Sequence, residues 1–151
     1  MPSEKALEHY RNPRNVGELE DADGVGIYIS DICGDITRFW IKVEDGKITD
    51  VRFKTFGCWA SIASASILTE MVKGKTIEEA RRIMKEEIAD ALGGLPEPKV
   101  HCSVLADDAL DDAIYDYLSR RGLPIPKDLV EKHEKVRVAV KRLEDMGFKV
   151  G

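Results

Sequence analysis

The sequence predicts an α+β fold, one antiparallel sheet covered by helices. Two-residue alternation runs through the segment before Phe56 and is broken by one hairpin signal. From Cys58 onward the apolar spacing becomes helical. At 151 residues the chain reads as one domain, long enough to bury a real core.

Taken in order, Ser3 to Tyr10 suits a short helix, ended by "NPRN" because Pro13 disfavours helix before it. "VGIYISDI" reads as a strand. "DITRFWIKVEDGKITDVRFKTF" reads as a hairpin, with Phe39, Ile41 and Val43 alternating before Asp45-Gly46 and Val51 and Phe53 after it. "ASIASASILTEMVKG" is a small-residue helix stopped by Gly74. "TIEEARRIM" opens on a capping box, Thr76 to Glu79, and "KEEIADALGG" continues it to a glycine stop. "LPEPKV" is a proline-stiffened loop. Ala106, Ala109, Leu110, Ala113, Ile114, Tyr117 and Leu118 then keep helical spacing. Asp107, Asp108, Asp111, Asp112 and Asp116 read as the solvated face of that helix. After "GLPIP", residues 127 to 146 form an amphipathic helix on Leu129, Val136, Val140 and Leu143.

Composition excludes several functions. The formal net charge of −5 gives no electrostatic case for binding nucleic acid or an anionic membrane. No apolar run approaches the roughly 20 residues of a transmembrane helix. The N-terminal "MPSEKALEHYRNPRN" lacks the apolar core of a signal peptide, so a cytoplasmic location is expected. Glutamine is absent, Asn12 and Asn15 are the only asparagines, and Glu and Lys abound, a composition that leans thermophilic. Three cysteines make an odd count, so thiols or metal ligands are expected rather than a disulfide framework.

Each cysteine falls at an element boundary: Cys33 after a strand in "DICGDI", Cys58 where hairpin gives way to helix, Cys102 where the proline loop becomes the long helix. Loops converging at one end of a sheet bring three thiols together, and helix N-termini favour the thiolate. Asp35 follows Cys33 by two residues, His101 directly precedes Cys102, and Lys99 is close by. Three thiolates with an oxygen or nitrogen donor suit tetrahedral zinc, or an iron–sulfur cluster lacking a fourth cysteine. The spacings of 25 and 44 residues match no CxxC zinc pattern. Residue chemistry leaves a plainer alternative open: a cysteine is usually a small buried hydrophobe, Asp35 a turn residue, His101 a cap and Lys99 solvated. His9 reads as a surface residue and His133 as a packing histidine.

"HYRNPRNVG" at 9–17, "CGD" at 33–35, "TFGC" with "ASIASAS" at 55–66, "VKGKT" at 72–76 and "HCSVLADDAL" at 101–110 together resemble the IscU/NifU-type iron–sulfur cluster scaffold family, in that family's order. The resemblance spans roughly Glu4 to Gly122, so residues 1–122 are expected as the scaffold domain and 123–151 as a C-terminal helical extension. It implies a three-stranded antiparallel sheet with about five helices packed on it and the cluster site at one exposed end. It also implies that Cys33, Cys58 and Cys102 ligate the cluster and accept sulfur, that Asp35 keeps the cluster labile, that His101 is an alternative or additional ligand, and that Lys99 is the basic residue of the same loop.

A non-enzymatic role follows from the resemblance. A cysteine desulfurase of the IscS/NifS type supplies sulfur as a persulfide, a labile [2Fe–2S] cluster forms, and apo iron–sulfur proteins receive it. Zn2+ suits the same ligands in isolated protein. Besides residues 123–151, which extend beyond the matched region, two departures stand out. Trp59 occupies a position that is usually glycine, and its ring either packs on a neighbour or shields the site. "LPEPK" at 95–99 differs from the family's chaperone-recognition loop, which leaves an Hsp70-type chaperone interaction in doubt. Two other readings compete. One is a zinc-bound sulfur acceptor of the same superfamily, which carries an insertion for which the 44-residue step shows no room. The other is a Cys/His hydrolase, for which adjacent His101 and Cys102 are poorly disposed.

Overall fold

The computed structural model describes residues 3–30, 35–83, 85–96, 99 and 101–147, with Lys85 and His101 described by backbone alone. Strands β1 (Gly24–Ile29), β2 (Ile36–Glu44) and β3 (Lys47–Phe56) form one antiparallel sheet in the order β1-β2-β3. Asp45 and Gly46 close the hairpin with φ of 52° and 75°, the left-handed pair that a two-residue turn between twisted strands demands. Alternate residues Phe39, Ile41, Val43, Val51 and Phe53 are buried. Phe39 sits opposite Phe53 with ring centroids 6.1 Å apart.

Six helices are described: α1 (Glu4–Arg11), α2 (Trp59–Val72), α3 (Ile77–Arg81), α4 (Lys85–Ala91), α5 (His101–Arg120) and α6 (Lys127–Asp145). About five were expected. The run from Thr76 divides because α3 ends in a tightened turn, where Arg82 N–H reaches the carbonyls of both Glu78 and Glu79. The Thr76–Glu79 capping box is present in both directions. Among the described residues no helix is long and apolar enough to cross a membrane.

Helix α5 lies directly on β1. A β-carbon on Gly24 would stand 2.3 Å from Ala113 O, and one on Gly26 would stand 2.1 Å from Ala113 N. Gly24 also faces Tyr117 and Gly26 faces Ala109, so α5 runs back along β1 and its first turn arrives at the Ile29 end of the strand.

The edges of the sheet are covered by side chains and loops, which explains the first correction to the sequence reading. The outward N–H groups of β1 donate to carboxylates of α5: Val25 N to Asp116 Oδ2 at 2.8 Å and Ile27 N to Asp112 Oδ2 at 2.9 Å. Asp111 and Asp112 are each only 5% exposed, so they are not a solvated face. Helix α6 supplies further partners for these carboxylates. Lys132 Nζ lies 3.0 Å from Asp108 and 2.5 Å from Asp111, and His133 Nδ1 lies 2.8 Å from Asp112 Oδ1. His133 also stacks on Tyr115 at 4.0 Å, the packing histidine that was expected. On the far edge, Phe53 N donates to Asn15 O and Gly17 N to Phe53 O.

The second correction concerns His9. It is buried rather than superficial, with Nδ1 2.8 Å from Ser66 Oγ and Nε2 3.5 Å from Glu70. Helix α1 buries only Ala6 and His9, so the imidazole is its main polar anchor to the small-residue face of α2.

Candidate metal centre

Strand register builds the centre. Ile36 pairs with Phe56, which brings the next residues outward, Asp35 and Gly57, side by side at one end of the sheet. Gly57 has no side chain to hold Asp35 away: a β-carbon there would meet Asp35 Cγ and Oδ2 at 2.6 Å. The Asp35 carbonyl accepts from Ser30 N at 2.9 Å, which closes the end of β1 onto the same place. Cys58 follows as the N-cap of α2, in extended backbone, and Cys102 sits in the first turn of α5 as it reaches this end.

The three side chains converge. One ligand atom each from Asp35, Cys58 and Cys102 lies within 4.8 Å of the others, and the two sulfurs are 3.5 Å apart. Asp35 and Cys102 are buried, and Cys58 is half-buried. Burial pushes the Cys58 thiol up, but hydrogen bonding from the Ser61 side chain and backbone, from Cys102 and from the Ala60 backbone outweighs it. The thiol is therefore held below its ordinary range, which favours the nucleophilic and metal-binding thiolate. Two soft sulfurs and one hard oxygen form a mixed donor set, suited to zinc or to iron in a sulfur-rich environment.

Sequence reasoning missed two residues here. Ser61, read as part of a close-packed helix face, is 2% exposed and donates from Oγ to Asp35 Oδ2 at 2.7 Å. The same oxygen lies 3.5 Å from Cys58 Sγ. Its position three residues after Cys58 at the start of a helix was the available signal, since such residues share a face. Gly57, directly before Cys58 at the end of β3, is the other, and it makes room for Asp35.

The remaining expected residues fall unevenly. Cys33, Glu97 and Pro98 lie outside the described residues, as does the side chain of His101, whose backbone opens α5. Lys99 is half-buried, with its N–H donating to Pro96 O at 2.7 Å. Trp59, the first residue of α2, is partly buried and packs against the hydrophobic core.

A second acidic group, Asp107, Asp108 and Asp111, lies further along α5 and is cross-linked by Lys132. Burial, then the neighbouring Asp111 charge, pushes the Asp107 carboxyl up to about 8.

Comparison with known proteins shows the family. The family described as NifU-like N terminal domain matches residues 1–123. The chain is 53% identical over 142 residues to "Iron-sulfur cluster assembly scaffold protein IscU 1" of Archaeoglobus fulgidus, covering 89% of this chain and 92% of that relative. It is 50% identical over 123 residues to the protein named iron-sulfur cluster assembly scaffold protein IscU in Escherichia coli K12, covering 79% of this chain and 95% of that one. In fold it resembles the crystal structure of a nitrogen-fixing NifU-like protein (N-terminal) from Brucella abortus, with a TM-score of 0.64 at 23% identity over 78% of this chain and 94% of that one.

Proposed function

The chain belongs to the NifU-like N-terminal domain family, and from that premise we propose that it is an iron–sulfur cluster assembly scaffold, a carrier rather than an enzyme. The observation that carries this reading is the convergence of Asp35, Cys58 and Cys102 within 4.8 Å at one end of the sheet. The relatives' printed names point the same way.

The cargo in this proposal is a [2Fe–2S] cluster. A cysteine desulfurase delivers sulfane sulfur to a scaffold thiolate as a persulfide; a two-electron donor such as a reduced ferredoxin-type protein then cleaves the S–S bond, returning the thiolate and releasing sulfide, which iron joins. Cys33, Cys58 and Cys102 supply soft donors, with Asp35 and His101 as harder ones. A carboxylate or imidazole in place of a fourth thiolate weakens the grip on one iron, which a protein that must surrender its cargo requires. Lys99 adds positive charge to the loop before α5, and Trp59 limits access of water and oxygen. Apo iron–sulfur proteins in the cytoplasm are the recipients, and residues 123–151 act as a helical extension to the scaffold domain. Zn2+ is the competing metal for the same donors. The zinc-bound sulfur-acceptor reading is not favoured, since the relatives are named as scaffolds.

Anaerobic incubation with iron, sulfide and a cysteine desulfurase tests the proposal. Visible sulfide-to-iron absorption and a Mössbauer signature of one iron with a non-sulfur ligand are expected, and Cys58→Ser largely abolishes both. Equal assembly by the parent and by all three Cys→Ser variants would overturn it. Metal analysis of anaerobically purified protein separates iron from zinc.

A further inference from the structure

We propose that Ser61 is a positioning residue that sets how Asp35 meets the cargo; the inference rests on the scaffold reading above. Ser61 is 2% exposed, and its hydroxyl lies between the hard donor and a soft donor of the centre, 2.7 Å from Asp35 Oδ2 and 3.5 Å from Cys58 Sγ. A hydroxyl has one proton to give. At 2.7 Å that proton is committed to the carboxylate, a charge-assisted bond stronger than a neutral one.

Asp35 is also bounded by Gly57, whose missing β-carbon leaves the space that the carboxylate fills. Two residues thus constrain Asp35. Gly57 limits how far the carboxylate turns, and Ser61 fixes which way it turns. Without the hydroxyl the carboxylate remains in the centre but loses the anchor that selects its orientation towards the sulfurs. Ser61 touches the metal in none of this; it acts through Asp35.

The test is a double-mutant comparison of the full chain: parent, Ser61→Ala, Asp35→Ala and the pair. Alanine is favoured inside a helix, and thermal melts confirm that each variant is folded. Asp35→Ala prolongs the lifetime of the reconstituted cluster during transfer to an apo-ferredoxin. Ser61→Ala changes it in the same direction by roughly ten- to a hundredfold, the range set by one hydrogen bond to a charged group. The pair behaves as Asp35→Ala alone, because Ser61 has nothing left to position.

Cobalt(II) bound in place of iron supplies a readout that a packing defect would not move. Its visible ligand-field bands shift in Ser61→Ala towards those of Asp35→Ala. Parent-like bands and lifetime in Ser61→Ala would overturn the proposal. So would an effect of Ser61→Ala that persists in the Asp35→Ala background, or an Asp35→Ala variant indistinguishable from the parent. A parent that binds cobalt but assembles no cluster defeats the scaffold reading instead, and the cobalt comparison then decides Ser61 by itself.

Discussion

Gly57 approaches Asp35 so closely that a β-carbon at position 57 would lie 2.6 Å from the carboxylate carbon. Residues two strands apart in sequence are therefore matched as a cradle and its occupant. Gly57→Ala makes the Asp35 side chain move, because no real β-carbon contact is that short. The variant is expected to fold, to keep both thiols, and to share the slower cluster loss of Asp35→Ala. Cluster half-life in transfer assays checks this, and a parent-like half-life would show that the carboxylate's position is immaterial.

The two described thiols differ in access. Cys58 is half-buried and held below the ordinary thiol range, whereas Cys102 is 1% exposed. In metal-free protein near neutral pH, iodoacetamide should modify Cys58 ahead of Cys102, because Cys58 is both more accessible and held below the ordinary thiol range. Peptide mass mapping over a time course measures the order. Faster labelling of Cys102 would contradict the assignment.

Gly26 lies under α5, and a β-carbon there would stand 2.1 Å from backbone rather than from a flexible side chain. Gly26→Ala must push the helix off the sheet, and both β1 edge hydrogen bonds to Asp112 and Asp116 go with it. A loss of about 3 kcal/mol, the upper part of the range for overpacking, is expected by urea denaturation. The centre should suffer too, since Cys102 rides on the first turn of the displaced helix.

Asp107 predicts a pH dependence of stability. Burial first, and Asp111 second, raise its carboxyl from 3.8 to about 8, while Lys132 opposes the shift and Asp108 and Glu87 add to it. Between these values the folded chain keeps a proton that the unfolded chain has released. Its contribution to stability is therefore fully present at low pH, falls as pH rises, and levels off above about 8. Asp107→Asn, uncharged at every pH, should flatten that slope and gain most relative to the parent at pH 8. Melting temperatures at pH 5 and pH 8 test it; an equal difference at both would remove Asp107 from the explanation.

The order and type of the elements are legible in the sequence, because each depends on local physics. The Asp45-Gly46 pair accepts left-handed backbone, the apolar residues of the hairpin alternate, and Thr76 and Glu79 cap a helix whatever surrounds them. The sequence also places the cysteines at element boundaries, where Cys58 and Cys102 are found. Tertiary structure decided what these elements do to one another. Strand register set Asp35 beside Gly57, and helix α5, laid over two glycines, delivered Cys102 to within 3.5 Å of Cys58. The same packing turned an apparently solvated row of aspartates into acceptors for the open edge of β1, and turned His9 into a buried anchor. A polar side chain carries no label for burial: its fate depends on whether a distant backbone or hydroxyl arrives to satisfy it, and only the folded chain brings one. Ser61 belongs to the same class, a small residue in a helix until Asp35 comes to meet its hydroxyl.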